Sequence, residues 1–195
     1  MHQAESDAYT ELSDKILARD FVASRVGTNA LTHLYWSGDV PTQLPFASLP
    51  EKCVIKANHG SGQVMIWTPQ KSPTEIVGTL SRWLRENYYW TGREFQYKHI
   101  KPQLYVEVYL YDGSADGPLD YRFWCFHGKP AIIQVDNHSH SINPFYSTDW
   151  QRLNLSYRPV AQSIDIPTPP LLPEMLRVAS DLSRGFDFVR IDLYQ

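Results

Sequence analysis

Lys56 opens a run, Lys56-Ala57-Asn58-His59-Gly60-Ser61-Gly62, in which a cation is followed at once by a serine between two glycines. A glycine lacks the Cβ that would block a close approach, so neighbouring backbone N–H groups can converge on one point. Converging N–H groups suit the oxygens of a phosphate, and an ammonium just before them adds a point charge for the same anion. The chemistry this suggests is a nucleotide-phosphate clamp made of Lys56 with His59, Gly60, Ser61 and Gly62. The alternative is an ordinary hairpin whose glycines serve only the turn. The run is not a Walker A loop, because no Lys-Ser or Lys-Thr pair follows the second glycine.

Two further groups carry chemistry. Near the end of the chain, Arg190 and Asp192 stand two apart in Phe188-Val189-Arg190-Ile191-Asp192-Leu193-Tyr194. Two-residue periodicity puts Arg190, Asp192 and Tyr194 on one strand face and Val189, Ile191 and Leu193 on the other. An Arg and an Asp side by side make either an edge salt bridge or part of a site. His138 and His140 have the same spacing and could share a metal, but no third ligand stands near them.

The elements that position these groups can be read in outline. Val54-Ile55 delivers Lys56 to the end of a strand, and Val64 to Trp67 return as a second strand, giving a hairpin over 52–67. Before it, residues 1–12 are polar and expected to fray. Ser13-Asp14 caps a helix running through Val26, with Gly27 as its stop and Lys15 and Arg19 forming a basic edge. That edge is either solvated or a ligand contact. Residues 31–50 read as a short strand and a proline-punctuated loop.

After the hairpin, Ser72-Pro73-Thr74-Glu75 is a capping box that opens a helix predicted to run to about Tyr88. The aromatic stretch from Asn87 to Glu94 is either a ligand-reaching lid or a packed loop. Leu104 to Tyr111 alternates as a strand, and 112–118 is a turn. A second hairpin pairs Tyr121–Phe126 with Ala131–Val135, joined by His127-Gly128-Lys129-Pro130. Residues 156–170 form a proline-rich loop, a helix follows from about Leu171 to Arg184, and the 188–194 strand comes last. Mixed hairpins and helices without a β-α-β rhythm indicate an α+β fold.

Composition narrows the function classes. The chain has 195 residues, of which 43% are hydrophobic, enough for one domain or two small lobes with a core. A net charge of −3 with no basic cluster argues against nucleic acid. No apolar stretch approaches the roughly 20 residues of a membrane helix, and no signal peptide is visible. The expected location is cytoplasmic, with Cys53 and Cys125 as buried thiols; a disulfide between them stays open. Aromatics make up 13%, which suits either a large core or a stacking surface for sugars or nucleotides.

Taken together, Val54–Gly62, Tyr105–Leu110 and Phe188–Tyr194 resemble an ATP-grasp enzyme in order and spacing. The nearer resemblance is to the teichuronopeptide-biosynthesis, or TupA-like, branch found among bacterial surface-polysaccharide genes. Asp14-Lys15 with Arg19, Asn87-Tyr88-Tyr89 with Gly92-Arg93-Glu94, Asp120-Tyr121-Arg122-Phe123 with Gly128-Lys129-Pro130, and Gln134-Val135-Asp136 carry it further. The likeness spans most of residues 13–194.

The resemblance implies two α+β lobes with antiparallel sheets enclosing Mg-ATP. The division it suggests is an N-terminal helix and linker over 1–50, a small lobe over 51–111 and a second lobe over 112–195. The implied reaction activates a carboxylate as an acyl phosphate, which an amine then converts to an amide. The implied substrates are an amino acid or peptide and a carboxylate of a cell-surface polymer. By the resemblance, Lys56 and the Gly60–Gly62 loop hold phosphates. The backbone of Val108 and Leu110 reads adenine, with Glu107 at its 6-amino group and Asp120 at the ribose. Arg122 and Arg190 are the catalytic cations, and Asp192 binds Mg2+. The family pattern also implies a further strand with a second acidic metal ligand beyond Asp192, where this sequence stops at Gln195. The expectation is therefore a truncated chain. Two other readings remain open: a non-catalytic remnant, and a carbohydrate-binding module using exposed aromatics such as Trp90.

Overall fold

The computed structural model describes residues 3–114, 117–156 and 164–195. It divides into two compact units, Met1–Tyr109 and Leu110–Gln195. The expected turn at 112–118 and loop at 156–170 run partly outside the described residues.

In the N-terminal unit, helices α1 (Gln3–Ser13) and α2 (Leu17–Val26) precede strand β1 (Leu34–Gly38). The hairpin follows as β2 (Cys53–Ala57) and β3 (Val64–Trp67), then α3 (Pro73–Trp83), the single turn α4 (Tyr89–Gly92) and β4 (Leu104–Val108). The sheet order is β1-β4-β2-β3, antiparallel throughout, so the 1–50 stretch contributes an edge strand to the same sheet as the loop hairpin. Alternation on β2 buries Cys53, Ile55 and Ala57 against Ile76, Leu80 and Trp83 of α3, with Leu104 and Val106 beside them. Lys56 therefore stands on the face away from α3.

Local signals explain the helix boundaries. Ser72 accepts the Glu75 N–H as N-cap with Pro73 at the first helical position, as the capping box requires. α3 ends at Trp83, five residues short of the expected Tyr88. The Trp83 carbonyl lies 3.0 Å from His59 Nε2 and accepts the Glu86 N–H, which tightens the last turn. The expected fraying of residues 1–12 is corrected from residue 3 onward: α1 packs against α2 and the turn at 95–97. Tertiary contact holds a polar helix that propensity alone would not. Asp14 Oδ1 accepts the N–H groups of Ile16 and Leu17, so the expected cap of α2 is Asp14.

In the C-terminal unit, β5 (Asp120–Phe126) and β6 (Lys129–Asp136) form the second hairpin. β7 (Phe145–Tyr146), β8 (Arg152–Leu153), α5 (Leu172–Ser183) and β9 (Phe188–Tyr194) complete it. The order is β8-β7-β6-β5-β9, again antiparallel, and β9 is an edge strand among the described residues. The hairpin loop is shorter than expected: only His127 and Gly128 join the strands, both at positive φ, the geometry a tight two-residue turn needs. Phe123, Cys125, Ile133 and Val135 pack against Met175 and Ala179 of α5, and Val189, Ile191 and Leu193 of β9 join that core. The opposite face carries Asp120, Arg122, Gln134, Asp136, Arg190 and Asp192 toward one end and an aromatic cluster of Trp124, Phe126 and Phe188 toward the other. Both cysteines are buried and free, and burial pushes the Cys53 thiol up to about 11.

Candidate functional site

In the N-terminal unit, antiparallel pairing sets Lys56 opposite Tyr105 and Val54 opposite Glu107, making Lys56 and Glu107 diagonal neighbours on one face. Lys56 Nζ lies 2.5 Å from Glu107 Oε1. Thr32 Oγ1 donates to Glu107 Oε2 at 2.6 Å, and Arg19 Nη1 approaches the same oxygen at 3.5 Å. Arg19 also donates to the Thr32 hydroxyl and carbonyl. Glu107 is 8% exposed, a burial a carboxylate tolerates because two cations and a hydroxyl reach it.

The loop between β2 and β3 hangs on Asn58, which is fully buried. Its Nδ2 donates to Asp14 Oδ2 (2.9 Å) and to the Lys101 carbonyl (3.0 Å), and its Oδ1 accepts the Gln103 N–H (2.7 Å). His59 lies inside the unit, with Nδ1 3.1 Å from Asn58 Oδ1 and Nε2 on the Trp83 carbonyl. Burial lowers its proton affinity, and a neutral ring can donate to only one of those two oxygens. Gly62 has φ +78°, a conformation that calls for glycine. Among the described residues, the backbone N–H groups of Gly60, Ser61 and Gly62 have no hydrogen-bond partner. They are available to an anion.

In the C-terminal unit, register places Asp120 opposite Asp136 and Tyr194, and Arg122 opposite Gln134 and Asp192. Arg122 gathers the acids: Nε is 2.7 Å from Asp120 Oδ2 and 4.0 Å from Asp192 Oδ2, and Nη1 is 2.6 Å from Asp136 Oδ2. His140 Nδ1 lies 2.7 Å from that same Asp136 oxygen. Arg190 grips both oxygens of Asp192 at 2.7 Å. The remaining oxygens, Asp120 Oδ1 and Asp136 Oδ1, are buried without a hydrogen-bond partner. Among the described residues, no group of three or more His, Cys, Asp or Glu side chains could hold a metal.

The TupA-like ATPgrasp family model matches residues 1–195. The chain belongs to the TupA-like ATP-grasp family. A search of the curated proteins finds no match. Among solved structures, the ATP-grasp ligase PsnB complexed with minimal precursor, Mg and ADP is similar at 11% identity and TM-score 0.48. That match covers 96% of this chain and 47% of the other. PsnB with minimal precursor alone gives 10% identity over 95% of this chain and 48% of the other, TM-score 0.45. PsnB with precursor peptide PsnA2 and AMPPNP gives 10% over 95% and 45%, TM-score 0.44. The chain spans about half the length of these structures.

In this TupA-like chain the structure brings Lys56 and Glu107 together in one unit, and Asp120, Arg122, Asp192 and Arg190 together in the other. Val108 donates its N–H to the His33 carbonyl, and Leu110 lies exposed just past the end of β4. Trp90 is 63% exposed, with the Arg93 guanidinium 5.8 Å from its ring centre. Sequence reasoning gave no role to Thr32 or Asp136, and weighed His140 only as a metal partner of His138. Asp136 was within reach, since it ends the quoted Gln134-Val135-Asp136 run; its partners depend on hairpin register. No helix among the described residues is long and apolar enough to cross a membrane.

The acid cluster has a pH signature. Burial first, and the Asp192 charge second, raise the proton affinity of Asp120 above the ordinary carboxylate value. Such a group stabilises the fold below its unfolded pKa of about 3.9 and loses that contribution as pH rises through its folded value. Asp120→Asn keeps an acceptor for Arg122 and removes the charge. The variant is expected to gain on the wild type in urea midpoint between about pH 4 and pH 7. Parallel midpoint curves would refute the assignment.

Proposed function

We propose that the chain carries out ATP-dependent carboxylate–amine ligation, activating a carboxylate at the γ-phosphate and passing the acyl group to an amine. The observation that carries the reading is Lys56, held by Glu107 at the end of β2 and followed in sequence by a glycine loop whose N–H groups are unpartnered, in a chain of this family. Lys56 and the Gly60–Gly62 amides take the phosphates. Glu107 holds Lys56 and Arg19 ready, and exchanges one of those partners when it meets the adenine 6-amino group. The backbone at Val108 and Leu110 borders the base, and Asp120 meets the ribose. Arg122 and Arg190 supply fixed positive charge where negative charge grows on the transferred phosphoryl and the acyl centre.

The donor set on the C-terminal sheet is of the kind a hard cation takes. Asp192 offers carboxylate oxygens, and the unpartnered Asp120 Oδ1 marks a local surplus of negative charge. Asp192 would hold Mg2+, which when bound neutralises phosphate charge. Its exposed bidentate bridge to Arg190 must open first, a small penalty for a solvated pair. The acceptor in this reading is a carboxylate of a cell-surface polysaccharide, the donor an amino acid or peptide, and the compartment the cytoplasm.

Calorimetric titration with ATP, with and without Mg2+, tests the reading beside Lys56→Ala. Loss of one charge-assisted contact should weaken binding about tenfold or more, with an unchanged circular dichroism spectrum. The fold should survive because Glu107 Oε2 keeps Thr32 and Arg19. Equal affinity in the variant would sink the phosphate assignment. Binding without ADP release in any carboxylate and amine mixture would favour a non-catalytic remnant.

A further inference from the structure

Lys15 has no assigned part in the site, yet its side chain ends on the phosphate loop. Its Nζ lies 2.5 Å from the Gly60 carbonyl and 3.3 Å from the Asn58 carbonyl, and its backbone N–H donates to the same Asn58 oxygen at 3.4 Å. The adjoining residue, Asp14, is buried and bonded to the Asn58 side chain. The elbow between α1 and α2 therefore grips the loop at both its backbone and its first side chain.

The geometry of the peptide unit turns this grip into a statement about the anion site. In a trans peptide the C=O and the following N–H point in opposite directions, and there are no cis bonds among the described residues. A cation that draws the carbonyls of Asn58 and Gly60 to one side turns the N–H groups of His59 and Ser61 to the other. Alternate peptides of the loop thus present their positive ends together, away from Lys15. Without that cation, the Asn58 carbonyl keeps only the Lys15 backbone N–H, and the Gly60–Ser61 peptide, in a glycine-rich segment, is free to rotate, so the convergence is weakened.

We propose that Lys15 is a positioning residue for phosphate: its ammonium orients the Asn58–Ser61 peptides so that their N–H groups converge on the nucleotide. The inference rests on the reading that this loop binds phosphate. Burial foremost, then the neighbouring Lys56 charge, lowers the Lys15 pKa to about 8, against the opposing effect of Asp14. The other groups near it are the His59 ring and the Tyr97 ring, whose centre is 5.6 Å from Nζ. The charged form holds both carbonyls more strongly than a neutral amine would, and bound phosphate favours that form. ATP affinity should therefore fall as pH rises through about 8, with proton uptake on binding.

Calorimetric titration with Mg-free ATP from about pH 7 to pH 9, in buffers of differing ionisation heat, tests this on the wild type, Lys15→Met and Lys15→Arg. The methionine variant should bind about tenfold more weakly at neutral pH. The arginine variant should bind close to wild type but lose the pH dependence and the proton uptake, because a guanidinium does not titrate there. A merely structural role would leave the pH profile of the arginine variant unaltered. If the methionine variant fails to fold, the wild-type and arginine profiles still decide. A pH-independent wild type, or an arginine variant that keeps the wild-type profile, overturns the inference alone. No ATP binding by the folded wild type overturns both this inference and the phosphate reading.

Discussion

Arg122→Ala is expected to destabilise the C-terminal unit by about 3–5 kcal/mol at neutral pH, the range seen when one partner of a buried ion pair is removed. Asp136 is 1% exposed and shares a single oxygen between Arg122 and His140, while its other oxygen has no partner. Asp120 stands directly across the hairpin from it, also with one unpartnered oxygen. Removing the guanidinium leaves these carboxylates facing each other, with Asp192 close by and His140 and Arg190 to offset them. Their proton affinities must then rise, so the deficit should shrink as pH falls toward about 4. Urea unfolding followed by tryptophan fluorescence measures this, because Trp124 and Trp150 lie in the same unit. Arg122→Lys should fall between: it restores a charge but cannot reach several acids with a rigid fork. An alanine variant within about 1 kcal/mol of wild type at neutral pH would show that Arg122 is not the keystone of this face.

What the sequence revealed, and what it hid, divides along the range of the interactions. The loop hairpin, the Ser72 cap and the face alternation of β9 are short-range patterns, and the structure reproduces them. The α+β class followed from the same patterns. Glu107 could be placed on a strand face, but its partners Arg19 and Thr32 come from segments 88 and 75 residues away. The early end of α3 has the same origin, since the imidazole at its last turn belongs to His59, 24 residues upstream. The meeting of Asp136 with Arg122 depends on a two-residue turn where a four-residue link was expected and on a register shift between Trp124 and Cys125; together they set which residues face each other across β5 and β6. The aromatic content was ambiguous because rings serve both uses: Tyr146 and Trp150 stack at 4.4 Å near the core, whereas Trp90 lies on the surface.

Asn58→Asp is expected to have the largest effect in the N-terminal unit, and it joins the stability of that unit to the shape of the loop. The substitution preserves volume and replaces an NH2 donor with an oxygen. That donor points at the Asp14 carboxylate and the Lys101 carbonyl, so the variant sets oxygen against oxygen at about 3 Å with no water to screen them. A loss of roughly 3 kcal/mol or more is expected at neutral pH. The sign of the pH effect is fixed by the same geometry. A proton held between the two carboxylates restores a donor, so their folded proton affinity exceeds the unfolded one. The variant should therefore regain stability on acidification toward about pH 4 and lose it as pH rises through the folded value. Asn58→Leu breaks the same hydrogen bonds without creating a titratable pair and should show no such recovery. Parallel pH curves for the aspartate and leucine variants would argue against a shared proton. The position also begins the phosphate loop and offers its carbonyl to Lys15. If the hub organises the loop, ATP affinity in the aspartate variant should recover over the same acidic range as stability. Stability that recovers without affinity would mean that the loop takes its shape from Lys15 and not from the Asn58 side chain.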